Sequence, residues 1–185
     1  FNVVLELTVT AEAARSVEGP IRILFLLPSL RVGGAEMQTV DLANGLAALG
    51  FETHLCIFES GTGLRHRVDD SLVKVHLLSR RMKIDWSLTK SIAKLIDDER
   101  IDVVYCSLMI ALFWGWLGSR LSNRHPPVIA AIHTTRNFSF RAELFDHALY
   151  QFVLRQCRSV VFVCNAQREH WCRKFSFLAR TAVVI

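Results

Sequence analysis

Short apolar runs recur along the chain from residue 21 onward, and amphipathic segments separate them. The first run, IRILFLL at residues 21–27, is almost continuous, as a strand buried on both faces requires. In residues 35–49 most apolar side chains fall on one side of a helical wheel and the polar ones on the other, and Gly50 stands where a helix-ending glycine belongs. The pattern therefore predicts a buried strand followed by a helix that lies on the sheet.

The same alternation continues to the last residue. Further strands are predicted at THLCIFE, LVKVHLL, IDVVYCS, PVIAAIHTT, SVVFVCN and TAVVI. Helices are predicted in DWSLTKSIAKLIDDER, ALFWGWLGSRL, RAELFDHALYQFVLRQC and AQREHWCRKF. Six or seven strands that alternate with helices imply right-handed βαβ units. We therefore predict an α/β fold: a Rossmann-like, doubly wound, mostly parallel sheet of six or seven strands with helices on both faces.

The first twenty residues differ from the rest. FNVVLELTVT alternates apolar and polar positions, and a small, polar stretch ending in SVEGP follows it. We interpret residues 1–20 as a tail or linker and residues 21–185 as the domain. The longest apolar run, LMIALFWGWL, has about ten residues, well short of the roughly 20 that a membrane-spanning helix needs.

The composition limits the classes to which this protein can belong. Lys and Arg outnumber Asp and Glu by 22 to 17, which gives a net charge of +5 and mildly favours anionic partners. The basic residues form short runs, such as residues 65–67, that are more typical of solvated loops than of a nucleic-acid interface. The 5 cysteines contain no CxxC pair, which is typical of reduced thiols in the cytoplasm.

In doubly wound sheets, ligands bind beyond the carboxyl ends of the strands. The loop after the first strand, PSLRVGGAE, places Gly33 and Gly34 at the start of a helix, where free N–H groups and the helix dipole attract anions. Its spacing is neither GxGxxG nor GxxxxGK[ST], so a dehydrogenase or an NTPase is disfavoured. Glycine permits positive φ and close backbone approach, which suits either a ligand seat or a plain tight turn. Arg31 either pairs with an anion or is solvated.

Two later strand ends carry further candidates. His133 follows the run VIAAI and precedes Thr134, so we expect it to face the same crevice as the glycines, either as a catalyst or as a structural hydrogen-bonding group. Asn165 ends the run VVFVC, where an N-cap of the next helix is the favoured interpretation. The other histidines show neither HxxxH nor HExxH spacing, so no metal site is predicted. Trp114 and Trp116 are interpreted as core or as an interface with a partner.

Four stretches together carry a resemblance to a known family. They are IRILFLLPSLRVGGAEMQTVDLANGLAALGFETHLCIF, IDVVYCS, IAAIHTT and CRSVVFVCNAQREHW. In this order they resemble the N-terminal domain of family-4, retaining, nucleotide-sugar-dependent glycosyltransferases of the GT-B fold. The resemblance covers residues 21–185. It implies two Rossmann-like domains that face a cleft, with the acceptor bound mostly by the N-terminal domain and the nucleotide sugar mostly by the C-terminal one.

The resemblance also implies roles for residues. Gly33 and Gly34 would bring backbone N–H groups to the donor phosphate or to the acceptor, and His133 would reach the transferred sugar. We add Arg31, Thr134 and Asn165 as candidates for substrate or phosphate binding. No metal or other cofactor is implied as essential.

The acidic EX7E motif of the family and its phosphate-binding Arg and Lys belong to the second domain. No two glutamates stand eight positions apart here. We therefore expect the C-terminal nucleotide-sugar-binding domain to be absent and the chain alone to be inactive.

A function from another class stays open at this point. In a non-catalytic binding module, the sheet edge and the ALFWGWL helix would serve as a docking surface. Continuation of the reading frame beyond Ile185 into a second α/β unit would favour the enzyme. The partners expected for the enzyme are a nucleotide-sugar donor, a sugar, lipid or small-molecule acceptor and the missing domain. The expected location is cytoplasmic, and the positive charge permits peripheral contact with the inner membrane face.

Overall fold

Strands and helices alternate along the computed structural model, which describes residues 19–82, 84–133 and 150–184. The strands are β1 (Arg22–Leu27), β2 (Glu52–Ile57), β3 (Val73–Leu77), β4 (Val103–Ser107), β5 (Val128–Ile132), β6 (Ser159–Phe162) and β7 (Ala182–Val184). The helices are α1 (Gly34–Ala48), α2 (Trp86–Asp98), α3 (Met109–Leu121), α4 (residues 150–156) and α5 (Asn165–Lys174). Short 3-10 helices lie at Arg65–Arg67 and Ser176–Arg180. The predicted tail falls almost wholly outside the described residues.

The strands form one sheet in the order β3-β2-β1-β4-β5-β6-β7, and each neighbouring pair is parallel. This confirms the Rossmann-like, doubly wound prediction, with seven strands. The order reverses at β1, which pairs with both β2 and β4. Connections leave this point toward opposite faces of the sheet, so the carboxyl ends of β1 and β4 frame a crevice of the kind in which such folds bind ligands.

Alternate residues of the central strands enter two different hydrophobic cores. On β1, Phe25 and Leu27 belong to one core and Leu24 and Leu26 to the other, all with 0% exposure. Helix α1 covers the first core, while α2, α3, α4 and α5 cover the second. Each such side chain contributes about 1.5–3 kcal/mol on burial. The almost continuous apolar runs therefore reflect strands that are covered on both faces.

Residues with specific capping roles mark the end of α1 and the start of α2. Gly50 has φ of 90° and its N–H donates to the carbonyl of Ala47 at 3.0 Å, which confirms it as the helix-ending glycine. Leu49, which the helical wheel placed on the apolar side, is 66% exposed because it lies at the C-cap, beyond the last buried turn. At α2, the Asp85 carboxylate accepts from the N–H groups of Ser87 at 3.0 Å and Leu88 at 3.3 Å.

Helix α3 packs closely on both the sheet and α2. A Cβ on Gly115 would meet the side chains of Cys106 and Leu26, and one on Gly118 would meet Ile92. Trp114 is 1% exposed, which confirms the core interpretation for this residue. The apolar character of α3 is thus largely explained by packing inside the domain.

Candidate functional site

The glycine loop runs from the end of β1 to the start of α1 at the crevice. Ser29 and Leu30 are buried, whereas Arg31 and Val32 are exposed. Gly33 is the N-cap of α1 and provides no side-chain cap. As at the start of any α-helix, the first N–H groups of α1 have no intrahelical partners, and Gly33 adds no side chain to pair with them.

The loop after β2 braces the glycine loop. The N–H of Leu30 donates to the carbonyl of Gly61 at 3.0 Å, and the N–H of Leu64 donates to the carbonyl of Leu30 at 2.8 Å. The Nε of Arg31 donates to the carbonyl of Ser60 at 3.3 Å. Gly63 makes this approach possible, because a Cβ there would lie 2.9 Å from Val32 Cγ2. Arg31 is therefore anchored through its Nε on a neighbouring loop while its side chain stays exposed.

The two glycines have ordinary backbone conformations. Gly33 has φ of −159° and ψ of 157°, an extended conformation open to any residue, and Gly34 is the first helical residue. Neither glycine uses the positive φ that its lack of a Cβ would permit. Close approach remains feasible, because a Cβ on Gly34 would have nothing within 4 Å. The backbone of α1 is therefore open at Gly34.

An acidic side chain lies at the same helix start. The Glu36 carboxylate occupies the position that a Cβ on Gly33 would take. A carboxylate in the first turn stabilises the positive end of the helix dipole. The Glu36 carboxylate also repels a second negative charge at the start of α1, and it can accept hydrogen bonds from hydroxyl groups.

His133 is held at the same edge by Ser107. Ser107 ends β4 and is 0% exposed, and its Oγ lies 2.9 Å from Nε2 of His133, the first residue after β5. Both residues continue the alternation of side chains toward the α1 side of the sheet, since Tyr105 and Ala131 belong to the core that α1 covers. Burial lowers the pKa of His133 from 6.5, so the imidazole is neutral at pH 7.

A strained residue links β4 to α3 at the reversal point of the sheet. Leu108 has φ of 74° and ψ of 150°, a region that is almost restricted to glycine. Its carbonyl accepts from the N–H of Leu112 at 3.0 Å, so the strained residue is the N-cap of α3. The strain at Leu108 could not be predicted from the sequence, because leucine is not a residue type that favours turns or helix caps.

The remaining predicted residues are placed less centrally. Cys164 and not Asn165 is the N-cap of α5, because Cys164 is extended and Asn165 is already helical, so the N-cap prediction is wrong. Gln167 caps from inside the helix, since its Oε1 accepts from the N–H of Val163 at 3.0 Å. Thr134 lies outside the described residues.

Strand spacing sets the dimensions of the site. Neighbouring strands lie about 4.8 Å apart, so the strand before His133 is about 10 Å from β1 and the strand before Asn165 about 14 Å. Arg31, Gly33 and Gly34 thus lie together in the loop after β1. His133 lies on the same edge and side of the sheet, separated from this loop by at least the width of a sugar ring. Asn165 lies one strand further along the same edge.

A group of possible metal ligands lies away from this crevice. His54, His76 and Glu99 place one ligand atom each within 4.8 Å of one another. The spacing of these residues along the sequence predicted no such cluster. Within the described ranges, no helix is both long and apolar enough to cross a membrane.

Comparisons with known proteins agree with this architecture. The model of the family described as Glycosyltransferase Family 4 matches residues 32–185. No curated protein sequence matches the chain significantly.

Several solved structures share the fold. Anabaena Alr3699/HepE in complex with UDP and glucose is similar with a TM-score of 0.69 and 18% identity, over 89% of this chain and 44% of that chain. A glycosyltransferase from Rickettsia africae has a TM-score of 0.69 and 20% identity, over 91% of this chain and 43% of its own. Acinetobacter baumannii MurG has a TM-score of 0.60 and 17% identity, over 89% and 44%. The chain thus spans less than half the length of these glycosyltransferases of the GT-B fold.

Proposed function

This chain belongs to Glycosyltransferase Family 4, and on that premise we propose that it forms the acceptor-side half of a sugar-transfer cleft. The donor is a nucleotide sugar, and the acceptor is a glycan, a lipid or a small molecule. One observation carries the proposal: the start of α1, open at Gly34 and lined by Glu36 at Gly33, lies on the same side of the crevice as the Ser107–His133 pair. One of the similar structures, Anabaena Alr3699/HepE, was solved with UDP and glucose, which supports this donor class.

The glycine loop would bind hydroxyl groups of a sugar in preference to a diphosphate. Backbone N–H groups at the start of α1 donate to hydroxyl oxygens, and the Glu36 carboxylate accepts from the hydroxyl protons. A diphosphate at this place would meet the negative charge of Glu36. Arg31, at the outer side of the loop, is the group here that would attract the phosphates of the donor.

His133 would orient the transferred sugar as a neutral imidazole. Its Nε2 is engaged with Ser107, so the ring is fixed and Nδ1 is the nitrogen left to face a ligand. A neutral ring forms a hydrogen bond to a sugar hydroxyl and adds no charge to the crevice. Thr134 and Asn165 remain proposed as further binding residues on the same edge.

A second domain would complete the reaction. We propose that cationic groups and helix N-termini of a nucleotide-sugar-binding domain stabilise the departing diphosphate, and that closure of the two domains excludes water. The anomeric configuration would be retained, and neither a metal nor another cofactor would be essential to transfer. The 185-residue chain alone would therefore not turn over.

The test compares two proteins and one pair of variants. Transfer of labelled sugar from UDP-sugars is measured for the 185-residue chain and for the product of the complete reading frame that encodes it. We expect turnover only in the longer product, and we expect chelation with EDTA to leave its rate unchanged. In that product, His133→Ala should lower kcat/KM at least about tenfold, corresponding to about 1.4 kcal/mol of transition-state stabilisation. His66→Gln, at an exposed histidine, should leave it unchanged.

Robust transfer by the 185-residue chain would overturn the need for a second domain. Equal rates for the His133 and His66 variants would overturn the role of His133.

A further inference from the structure

We propose that His54, His76 and Glu99 form a Zn²⁺ site that ties the edge strand β3 to β2 and to the end of α2. His54 lies on β2, His76 on β3, and Glu99 is the C-cap of α2. These three elements meet on the sheet face that α2 covers, apart from the crevice that holds the glycine loop. The inference is therefore independent of the proposed sugar transfer.

The distances between the ligand atoms fit a tetrahedral ion. His54 Nδ1 lies 3.0 Å from His76 Nε2 and 3.8 Å from Glu99 Oε2. Two ligands on a tetrahedral Zn²⁺ with bonds of about 2.0–2.1 Å stand about 3.3 Å apart. Small side-chain rotations are enough to close this difference. Two imidazoles and one carboxylate are also a ligand set that Zn²⁺ accepts with water in the fourth position.

The rings are prepared to bind a cation. The two rings stack with an interplanar angle of 11°, and the direct contact between two nitrogens needs one proton between them. When the ring that carries this proton holds it on its other nitrogen instead, both facing nitrogens present lone pairs to an ion.

A second carboxylate lies near the ring that is buried deepest. The His54 side chain is 0% exposed, and its Nε2, on the far side of the ring from the site, lies 3.4 Å from Glu52 Oε1. His54 Nε2 makes no hydrogen bond within the described residues, so with Nδ1 on the ion a small rotation of Glu52 would be needed for the Nε2–H group to donate to this carboxylate, as a metal-bound histidine usually does. Glu99 is 31% exposed, so the ion and a water ligand can enter from its side.

The ammonium group of Lys74 competes with the proposed Zn²⁺ ion. Lys74 Nζ lies 2.7 Å from Glu52 Oε1 and 3.6 Å from Glu99 Oε2. Its ammonium group repels a divalent cation and holds the carboxylate that would bind it. Removing this charge should therefore strengthen metal binding, whereas a purely structural cluster would gain nothing from the change.

The experiment uses the 185-residue chain after EDTA treatment and dialysis. Zn²⁺ alone is titrated by calorimetry, and Co²⁺ alone is titrated by visible absorption, in which four-coordinate Co²⁺ has intense d–d bands. We expect one ion per chain, a Co²⁺ spectrum of the four-coordinate kind, and a rise in Tm with Zn²⁺ concentration. Absence of binding, or a six-coordinate Co²⁺ spectrum, would overturn the proposal.

Variants locate the ion. His76→Gln should weaken Zn²⁺ binding at least about 100-fold and Glu99→Gln at least about tenfold, while circular dichroism confirms that both fold. His66→Gln and Glu169→Gln, at exposed positions outside the cluster, should bind as the parent does. Lys74→Gln should bind at least about threefold more tightly. Parental affinity in His76→Gln, or weaker binding in Lys74→Gln, would place the ion elsewhere and refute the site.

Discussion

Ser107 and His133 are joined across two neighbouring parallel strands by a 2.9 Å hydrogen bond between Oγ and Nε2. The strand register explains the contact, because Ser107 pairs with Ala131 and His133 follows two positions later on the same side. The fold thus fixes which nitrogen of His133 is occupied. The pair can be tested without any ligand.

Ser107→Ala should lower the free energy of unfolding by about 1–3 kcal/mol. The substitution leaves Nε2 of a half-buried imidazole without its partner, and an unsatisfied buried group costs about this much. Urea unfolding of the 185-residue chain provides the measurement. Ser176→Ala, at an exposed serine, should change the free energy of unfolding by less than about 0.5 kcal/mol. Equal values for the two variants would contradict the importance of the pair.

The stability of the fold should decrease as the pH falls below 6.5. Burial lowers the pKa of His133 below this value, so in acid the unfolded chain binds a proton that the native chain does not. By linkage, the free energy of unfolding then falls with falling pH. Urea unfolding at several pH values between about 7.5 and 5 measures the slope. His133→Gln should reduce the slope of the free energy of unfolding against pH, whereas His66→Gln should leave this slope unchanged. An NMR titration that gave His133 a pKa above 6.5 would refute the sign.

Gly34→Ala should stabilise the chain and yet impair sugar transfer. Alanine is favoured over glycine in a helix by up to about 1 kcal/mol, and the added Cβ would meet nothing within 4 Å. The same Cβ would stand where a ligand approaches the backbone. Gly45→Ala, exposed in the middle of the same helix, is the matched control: it should stabilise similarly and leave kcat/KM of the complete protein unchanged. Equal kcat/KM values would count against a ligand at the glycine loop.

Leu108→Gly should be more stable than Leu108→Ala by about 1–2 kcal/mol. Both variants lose the leucine side chain, but only glycine adopts φ of 74° with ψ of 150° without strain. In ordinary positions the order is reversed, because glycine loses more backbone entropy on folding. Thermal and urea unfolding of the two variants measure the difference. A more stable alanine variant would show that Leu108 is not strained.

Gly118→Ala should destabilise the chain by about 1–3 kcal/mol. Its Cβ would lie 2.9 Å from Cβ of Ile92, so α2 and α3 would have to separate. In an Ile92→Ala background the cost should be smaller, which a double-mutant cycle in urea detects. Additive effects of the two substitutions would show that the helices already have room at this point.

The strands and the sheet class could be predicted from the sequence because their cause is local. Each residue of β1 from Ile23 to Leu27 lies in one of two cores, so the run has to be apolar throughout. The end of α1 could be predicted for the same reason, because Gly50 adopts a backbone conformation that favours glycine. The same sheet class also predicts the carboxyl edge as the place of the candidate site.

The finer geometry could not be predicted in this way. Gly33 is extended and packs near Glu36, although two adjacent glycines are compatible with many turns. The partner of His133 depends on the register of β4 with β5. The contact between His54 and His76 depends on the register of β2 with β3, which aligns Cys56 with His76 and is not encoded in any short motif.

The hydrogen bonds that brace the glycine loop make the loop after β2 a remote determinant of the site. Gly61 has φ of 140° and lies under the side chain of Arg31, while Gly63 touches Val32. A larger residue at either position would push the wall of the crevice outward through the backbone. Variation in substrate preference among relatives of this chain should therefore be sought in the SGTG segment as well as in residues that line the crevice. A graft of the glycine loop onto another scaffold would need both segments together to keep its shape.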